Sequence, residues 1–355
     1  MKEYSYREKN DIENLKKLRV LQNEDLPRFA SDFFRGIEQR TSTRTRIGYA
    51  YDLRIFFEYL QESNPYFAKK PIHEWPVEYL DQIKALDIEE YMEYLKYYTK
   101  DGREYTNTVS GISRKLAALR TFYSYYYKKE LITTNPTALV DSPKLHEKSI
   151  IRLDVDEVAK LLDEVESGEN LTAKQQAFHE KTKVRDLALL TLFLGTGIRV
   201  SECVGLDIND VDLKNNGIRI IRKGGNEVVV YFSEEVREAL IPYLEERSGI
   251  AACEGHQNAL FLSLQRKRIT VRSVEKLVKK YASVITQLKK ITPHKLRSTY
   301  GTSLYRETGD IYLVADVLGH KDVNTTKKHY AALEDSRRRQ AASAVTLRER
   351  GKEKP

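Results

Sequence analysis

The sequence predicts a two-domain, mainly α-helical protein with one small antiparallel β-sheet in its second half. Three observations carry this. The chain has 355 residues, more than a single core of ordinary size takes. Apolar residues recur at helical spacing over most of residues 26–132, and again from residue 154 onward. Strand-like runs occur in one place only, on either side of a Gly-Gly turn.

Taken in order, residues 1–25 are polar and charged and read as an N-terminal arm or an extra helix. A helix is expected from Thr43 to Leu60, with Ile47, Tyr51, Ile55 and Tyr59 at helical spacing. A second is expected from Ile88 to Tyr98. A third runs from Asn107 to Lys129, with Ile112, Leu116, Leu119, Tyr123 and Tyr126 on one face. Asp101-Gly102 marks a turn between the last two, and Tyr123 to Tyr127 are expected in the core. The stretch 26–139 is thus expected to be an almost wholly helical bundle, the first domain. Asn135-Pro136 and Ser142-Pro143 break any helix, and Lys144 to Arg152 is basic and polar, so 140–152 reads as a linker.

The second domain is expected over 153–332. Its first helix starts near Asp154, with Val155, Val158, Leu161 and Leu162 as the apolar face. Residues 166–183 are polar and read as a loop, and Arg185 to Leu194 as an apolar helix. Gly217 to Ile221 and Val228 to Tyr231 flank Lys223-Gly224-Gly225-Asn226, a β-hairpin pattern. Helices follow at about 233–247, 271–284, 294–307 and 310–318. The tail, 333–355, is polar and helix-prone, with Arg337-Arg338-Arg339.

Composition narrows the function. Lys and Arg total 60 against 52 Asp and Glu, a formal charge of +8, which suits a polyanion: nucleic acid first, a membrane surface second. Hydrophobic residues at 41% and charged residues at 32% are those of a globular protein. No apolar run approaches the ~18–20 residues that span a bilayer. Met1 to Asn10 has no signal-peptide core, so a cytoplasmic location and no membrane partner are expected. Cys203 and Cys253 alone make neither a disulfide framework nor a zinc site, and Cys203 reads as a buried structural thiol. Strands do not alternate with helices, which excludes a doubly wound nucleotide fold. Gly195-x-Gly197 and Gly224-Gly225 match no phosphate-cradling fingerprint. No cluster has metal-ligand spacing, and no cofactor is expected.

Four segments offer the groups that a metal-free phosphodiester transfer needs: guanidinium forks for the charge on the phosphate, and an acid for the leaving oxygen. Thr196-Gly197-Ile198-Arg199-Val200-Ser201-Glu202 puts an arginine at a helix start with a carboxylate three residues on. Taken alone it also reads as an ordinary surface ion pair. Lys223 stands on the hairpin turn, where a lysine is usually solvated. His294 and Arg297 are three apart after Pro293, on one face if a helix starts there, although a capping histidine and a surface arginine share that spacing. Leu318-Gly319-His320 ends a helix and is followed by Tyr330, one of 23 tyrosines, most of which belong in a core.

The four segments in this order resemble the tyrosine recombinase (phage integrase) family. The matches are T-G-x-R-x-S-E at Thr196 to Glu202, the hairpin lysine Lys223, H-x-L-R at His294 to Arg297, and L-G-H at Leu318 to His320 with a downstream tyrosine. Arg114-Lys-Leu-Ala-Ala-Leu-Arg120, Asn135-Pro136 and Pro143-Lys144 resemble the Xer and integrase pattern, so the likeness spans about residues 25–340. It implies a helical core-binding (SAM-like) domain before an α-rich catalytic domain. It implies Tyr330 as the nucleophile that forms a 3′-phosphotyrosyl bond and frees a 5′-hydroxyl. Arg199 and Arg297 would hold the non-bridging oxygens, and Lys223 would protonate the 5′ oxygen. His294 and His320 would hydrogen-bond the phosphate, and Glu202 would position Arg199. Catalysis would use neither metal nor ATP, since the covalent bond conserves the phosphodiester energy. The family works as a tetramer on two DNA sites and passes through a Holliday junction, in chromosome-dimer resolution or in mobile-element integration and excision. Two departures stand out. The family commonly places its tyrosine nine residues after the L-G-H histidine; here that residue is His329, and Tyr330, the tenth, is the only tyrosine after His320. Ser298 follows Arg297 where histidine is common.

The implied partner is double-stranded DNA with inverted-repeat-type sites, gripped between two domains joined by the linker. Expected phosphate contacts are Arg44, Arg46, Arg114, Lys115 and Arg120 in the first domain. In the second they are Lys144, Arg266, Lys267, Arg268 and Arg272. The tail resembles a segment that docks on a neighbouring subunit. Two other readings remain at this stage: a DNA-binding architectural protein without turnover, and a type IB topoisomerase, which shares the chemistry.

Overall fold

The computed structural model describes residues 4–145, 151–222, 225–286, 288–320 and 323. The chain divides into two compact units, residues 1–148 and 149–355.

The first unit is a helical bundle with an aromatic core. Its elements are α1 (Tyr6–Glu24), α2 (Ala30–Gly36), α3 (Thr43–Ser63), α4 (Ala85–Tyr94), β1 (Tyr97–Lys100), β2 (Arg103–Thr106) and α5 (Val109–Lys128). The starts of α1, α3 and α5 are fixed by hydroxyl caps. Ser5 forms a capping box with Glu8, and Ser42 and Thr108 accept the backbone N–H of Thr45 and Gly111. The polar N-terminal segment is therefore a helix, and it buries Leu18 and Leu21 against α3. Phe33 and Phe122 centre the core, their rings 5.1 Å apart edge to face, and α3 adds Phe56 and Phe57.

The expectation of a helix from Ile88 to Tyr98 is corrected by a β-hairpin over Tyr97–Thr106. Asp101 (φ 51°) and Gly102 (φ 71°) both take left-handed backbone, which makes the turn a two-residue hairpin. Helix α4 therefore stops at Tyr94 instead of continuing to Tyr98, and Tyr98 and Tyr105 stack across the strands, 5.3 Å between rings. Within the Tyr123 to Tyr127 run, Tyr123 and Tyr126 are core, but Tyr127 is exposed.

The second unit holds α6 (Val155–Ser167), α7 (Ala173–His179), α8 (Lys183–Thr196), α9 (Val200–Gly205), β3 (Val211–Asp212), β4 (Gly217–Ile221), β5 (Glu227–Tyr231), α10 (Glu234–Ser248), α11 (Val271–Ile285), α12 (Pro293–Thr308) and α13 (Ile311–Leu318). Helix α8 is buried almost all round and packs against α6, α10 and α12. The sheet is antiparallel in the order β3-β4-β5. Two expectations change here. Residues 166–183 contain α7, started by a Thr172–Gln175 capping box, a short polar helix without the apolar period that would have marked it. The hairpin also gains β3, whose two residues are too short to leave a pattern. Cys203 is fully buried, and burial pushes its thiol far above the ordinary range, as expected of a structural residue. No helix among the described residues is long and apolar enough to cross a membrane.

Candidate active site

The site forms where three arginines of distant segments meet the C-terminal end of α13. Gly319 closes that helix with φ 61° and ψ 47°, left-handed backbone that a residue with a Cβ resists. Its N–H donates to the Asp316 carbonyl (2.8 Å), and His320 N–H donates to the Ala315 carbonyl (2.9 Å), a Schellman closure. The final carbonyls of a helix lack intrahelical donors and carry the negative end of its dipole. Here guanidinium groups fill the need. Arg297 Nη2 donates to the Leu318 carbonyl. Arg199 Nη2 donates to the Gly319 carbonyl at 3.1 Å. Arg222 donates through Nη1 to the Asp316 carbonyl (3.0 Å) and through Nη2 to the Val317 carbonyl (2.7 Å).

Each arginine is placed by its own local structure. Arg199 is the N-cap residue of α9, as the sequence implies. Glu202, one turn on, is buried; it accepts Arg199 Nη1 at 2.8 Å and Arg199 backbone N–H at 2.7 Å. This clamps the side chain and the helix start together. Gly197 ends α8 with φ 61°, and a Cβ there would lie 3.0 Å from Leu318 Cδ2 and closer still to the Tyr300 ring. With no side chain in the way, its carbonyl accepts Arg297 Nη1 at 2.6 Å. Arg297 is 5% exposed, so a whole guanidinium sits inside the domain between two carbonyls. Pro293 opens α12, which puts His294, itself exposed, on the first turn, one turn before Arg297.

The structure thus brings together Arg199, Glu202, Arg297 and the Gly319-His320 backbone. Lys223 and Tyr330 lie outside the described residues, as do His329 and the tail. Arg222 was not foreseen. Its only signal in the sequence is its place beside Lys223 at the mouth of a Gly-rich turn.

The DNA-contact candidates divide sharply. Arg44, Lys144, Arg266, Lys267 and Arg272 are exposed. Arg46 is buried, with Glu38 at 2.8 Å; Lys115 is buried against Asn107 at 2.8 Å. Burial lowers the Lys115 pKa, against the pull of Asp52. Arg268 is buried on the carbonyls of Val204 and Leu206 and on Asp207. These three are corrected from surface contacts to structural cations. Arg114 is exposed but grips buried Asp52 through both carboxylate oxygens. Arg120 holds the carbonyls of Thr137 and Val140 and the Ser142 hydroxyl.

A family model described as the phage integrase family matches residues 151–337. The tyrosine recombinase XerC of Caldanaerobacter subterraneus subsp. tengcongensis is 34% identical over 322 residues, 89% of this chain and 85% of the relative. The XerC of Syntrophus aciditrophicus is 32% identical, covering 84% and 91%. Among solved structures, the XerH site-specific recombinase bound to a palindromic difH substrate aligns with a TM-score of 0.64 at 20% identity, over 93% of each chain, a likeness of fold.

Proposed function

The chain belongs to the phage integrase family of tyrosine recombinases, and from that premise we propose the following assignment for its site and its substrate. It is a site-specific recombinase, an enzyme of DNA strand breakage and rejoining. The reading as an inactive architectural protein and the reading as a type IB topoisomerase both give way to it.

In the proposed reaction the Tyr330 phenolic oxygen attacks a DNA phosphorus. The new bond is a 3′-phosphotyrosyl ester; the bond that breaks is P–O5′. Arg199 and Arg297 hold the non-bridging oxygens, Lys223 passes a proton to the leaving 5′ oxygen, and His294 takes the phenolic proton. His320 hydrogen-bonds the phosphate. Attack by a 5′-hydroxyl of the partner strand reverses the step and rejoins the DNA through a Holliday junction. The acting form is a cytoplasmic homotetramer on two inverted-repeat sites, engaged in chromosome-dimer resolution or mobile-element integration and excision. Arg44, Lys144, Arg266, Lys267 and Arg272 supply sequence-independent phosphate contacts.

The observation that carries this reading is the pair of guanidiniums on consecutive carbonyls, Leu318 and Gly319, with Glu202 behind one of them. Two like charges held side by side make a preorganised cradle for an anion. The test is covalent trapping. The full chain is incubated with nicked duplexes carrying a randomised inverted-repeat core, and protein–DNA adducts are isolated under denaturing conditions and sequenced. Wild type is expected to yield adducts with a common site. Tyr330→Phe is expected to bind the recovered duplex yet form no adduct. An adduct formed by the phenylalanine variant would move the nucleophile to another residue.

A further inference from the structure

We propose that Arg222 is a positioning residue for leaving-group protonation, fixing the hairpin that carries Lys223 to the helix end on which Arg199 and Arg297 are held. This rests on the roles assigned to those residues above.

Arg222 immediately follows β4, and the next residue in the chain is Lys223. Its backbone helps close the turn: Arg222 N–H donates to the Asn226 carbonyl at 2.9 Å, and Gly225 N–H donates to the Arg222 carbonyl at 3.0 Å. Its side chain leaves the hairpin altogether. The guanidinium fork spans the carbonyls of Asp316 and Val317, residues 94 and 95 positions away in sequence. A planar fork on two successive carbonyls fixes direction as well as distance, which a lysine, with its single point charge, cannot do. The carbonyls that follow, of Leu318 and Gly319, are those that Arg297 and Arg199 hold. One helix terminus therefore ties together the two phosphate-binding arginines and the root of the Lys223 turn.

The surroundings are shaped to keep the fork in place. A Cβ on Gly319 would fall 2.6 Å from Arg222 Cζ and 2.8 Å from its Nε, so the glycine clears the space that the guanidinium fills. Both of the Arg222 donors used here point at main chain, and neither is the kind of contact that recognises a base. Arg222 needs no contact with DNA to act. By setting where the hairpin stem sits against α13, it sets where a proton can be delivered relative to the bound phosphate. A general acid misplaced by about an ångström loses much of its effect.

The chemistry of the leaving group separates this role from a merely structural one. When P–O5′ breaks, the oxygen needs a proton. When the bridging oxygen is replaced by sulfur, the thiolate leaves without one, because a thiol is far more acidic than an alcohol. The duplex recovered by covalent trapping is prepared in both forms, and adduct formation is timed for wild type, Arg222→Met, Arg222→Lys and Lys223→Ala. Arg222→Met keeps the apolar stem and removes the donors. On the oxygen substrate Arg222→Met is expected to slow cleavage about 10- to 100-fold, with Arg222→Lys between it and wild type. On the sulfur substrate both variants are expected within about threefold of wild type, as is Lys223→Ala. An equal deficit on the two substrates, or none on the oxygen form, overturns the proposal. If Arg222→Met fails to fold, Arg222→Lys reads the same contrast. Failure of sulfur to rescue Lys223→Ala would instead remove the general-acid role from Lys223, and the proposal with it. Absence of any wild-type adduct would overturn the recombinase site itself.

Discussion

The two units stabilise themselves in contrasting ways. The first is built on rings: Phe29, Phe33, Phe57, Phe122 and Tyr126 meet edge to face, while Tyr91, Tyr94, Tyr98 and Tyr105 form a chain of stacked neighbours. The second has a mostly aliphatic interior threaded with buried charge. Asp186, 1% exposed, accepts from Thr182, Arg185, Lys280 and Tyr281. Arg247 and Arg268 lie on main-chain carbonyls, as Arg297 does. In the first unit Arg46 and Arg114 meet the carboxylates of Glu38 and Asp52; in the second Arg247, Arg268 and Arg297 are buried and aimed at backbone carbonyls. Residue type therefore means different things in each. A buried tyrosine in the first unit is packing, whereas a buried arginine in the second is held in a set direction. Direction is what a phosphate site requires of its cations.

The largest test of this contrast is Arg297→Lys. It keeps the charge but can no longer bridge the Gly197 and Leu318 carbonyls. Adduct formation is expected to fall about 10²- to 10³-fold while duplex binding, followed by gel shift, changes little. A variant as fast as wild type would show that charge suffices without the fork. Phe122→Ala asks the complementary question. Removing the ring at the centre of the first unit should cost about 3–5 kcal/mol, read by denaturant unfolding. A loss below about 1 kcal/mol would mean that this aromatic core is not what holds the unit. The smallest effect is expected at Asp81. Its carboxylate accepts the N–H groups of Thr133 and Thr134. Slight burial works to raise its pKa, but those hydrogen bonds prevail and hold it below the usual carboxylate value. A carboxylate depressed in the folded state stabilises above its unfolded pKa and loses that contribution as pH falls through the folded value. Asp81→Asn should therefore cost at most about 1 kcal/mol near neutral pH and flatten the acid limb of the stability profile. An unchanged acid limb would remove the carboxylate from the account.

Legibility in the sequence followed the same divide. Helices with a clear apolar period, such as α3, α5, α11 and α12, were readable to within a few residues. So was the glycine stop at Gly319, since left-handed backbone demands the residue itself. The β1–β2 hairpin was hidden because its strands are four residues each and follow directly on the apolar period of α4, so that only Asp101-Gly102 marks it. Helix α7 was hidden because a polar helix leaves no apolar stripe. Among the arginines, motif spacing singled out Arg199 and Arg297, and their partnership with α13 gives that spacing a physical meaning. The same reasoning placed Arg46, Lys115 and Arg268 on the DNA. Charge alone carries no record of burial, and only the folded chain shows which cations have already found their partners. Arg222 was passed over because its partners are backbone atoms, which leave no trace in side-chain identity.

The cramped space above Gly319 bears on any attempt to exchange parts between this chain and a relative. The guanidinium that occupies it belongs to Arg222, on a hairpin 94 residues before the Asp316 carbonyl that it holds. A hairpin transplanted with its arginine needs a recipient helix that ends in glycine. A helix ending in any other residue needs a hairpin that lacks the arginine. The two segments behave as a single cassette, to be inherited or grafted together, although nothing in the order of the chain marks them as belonging to each other.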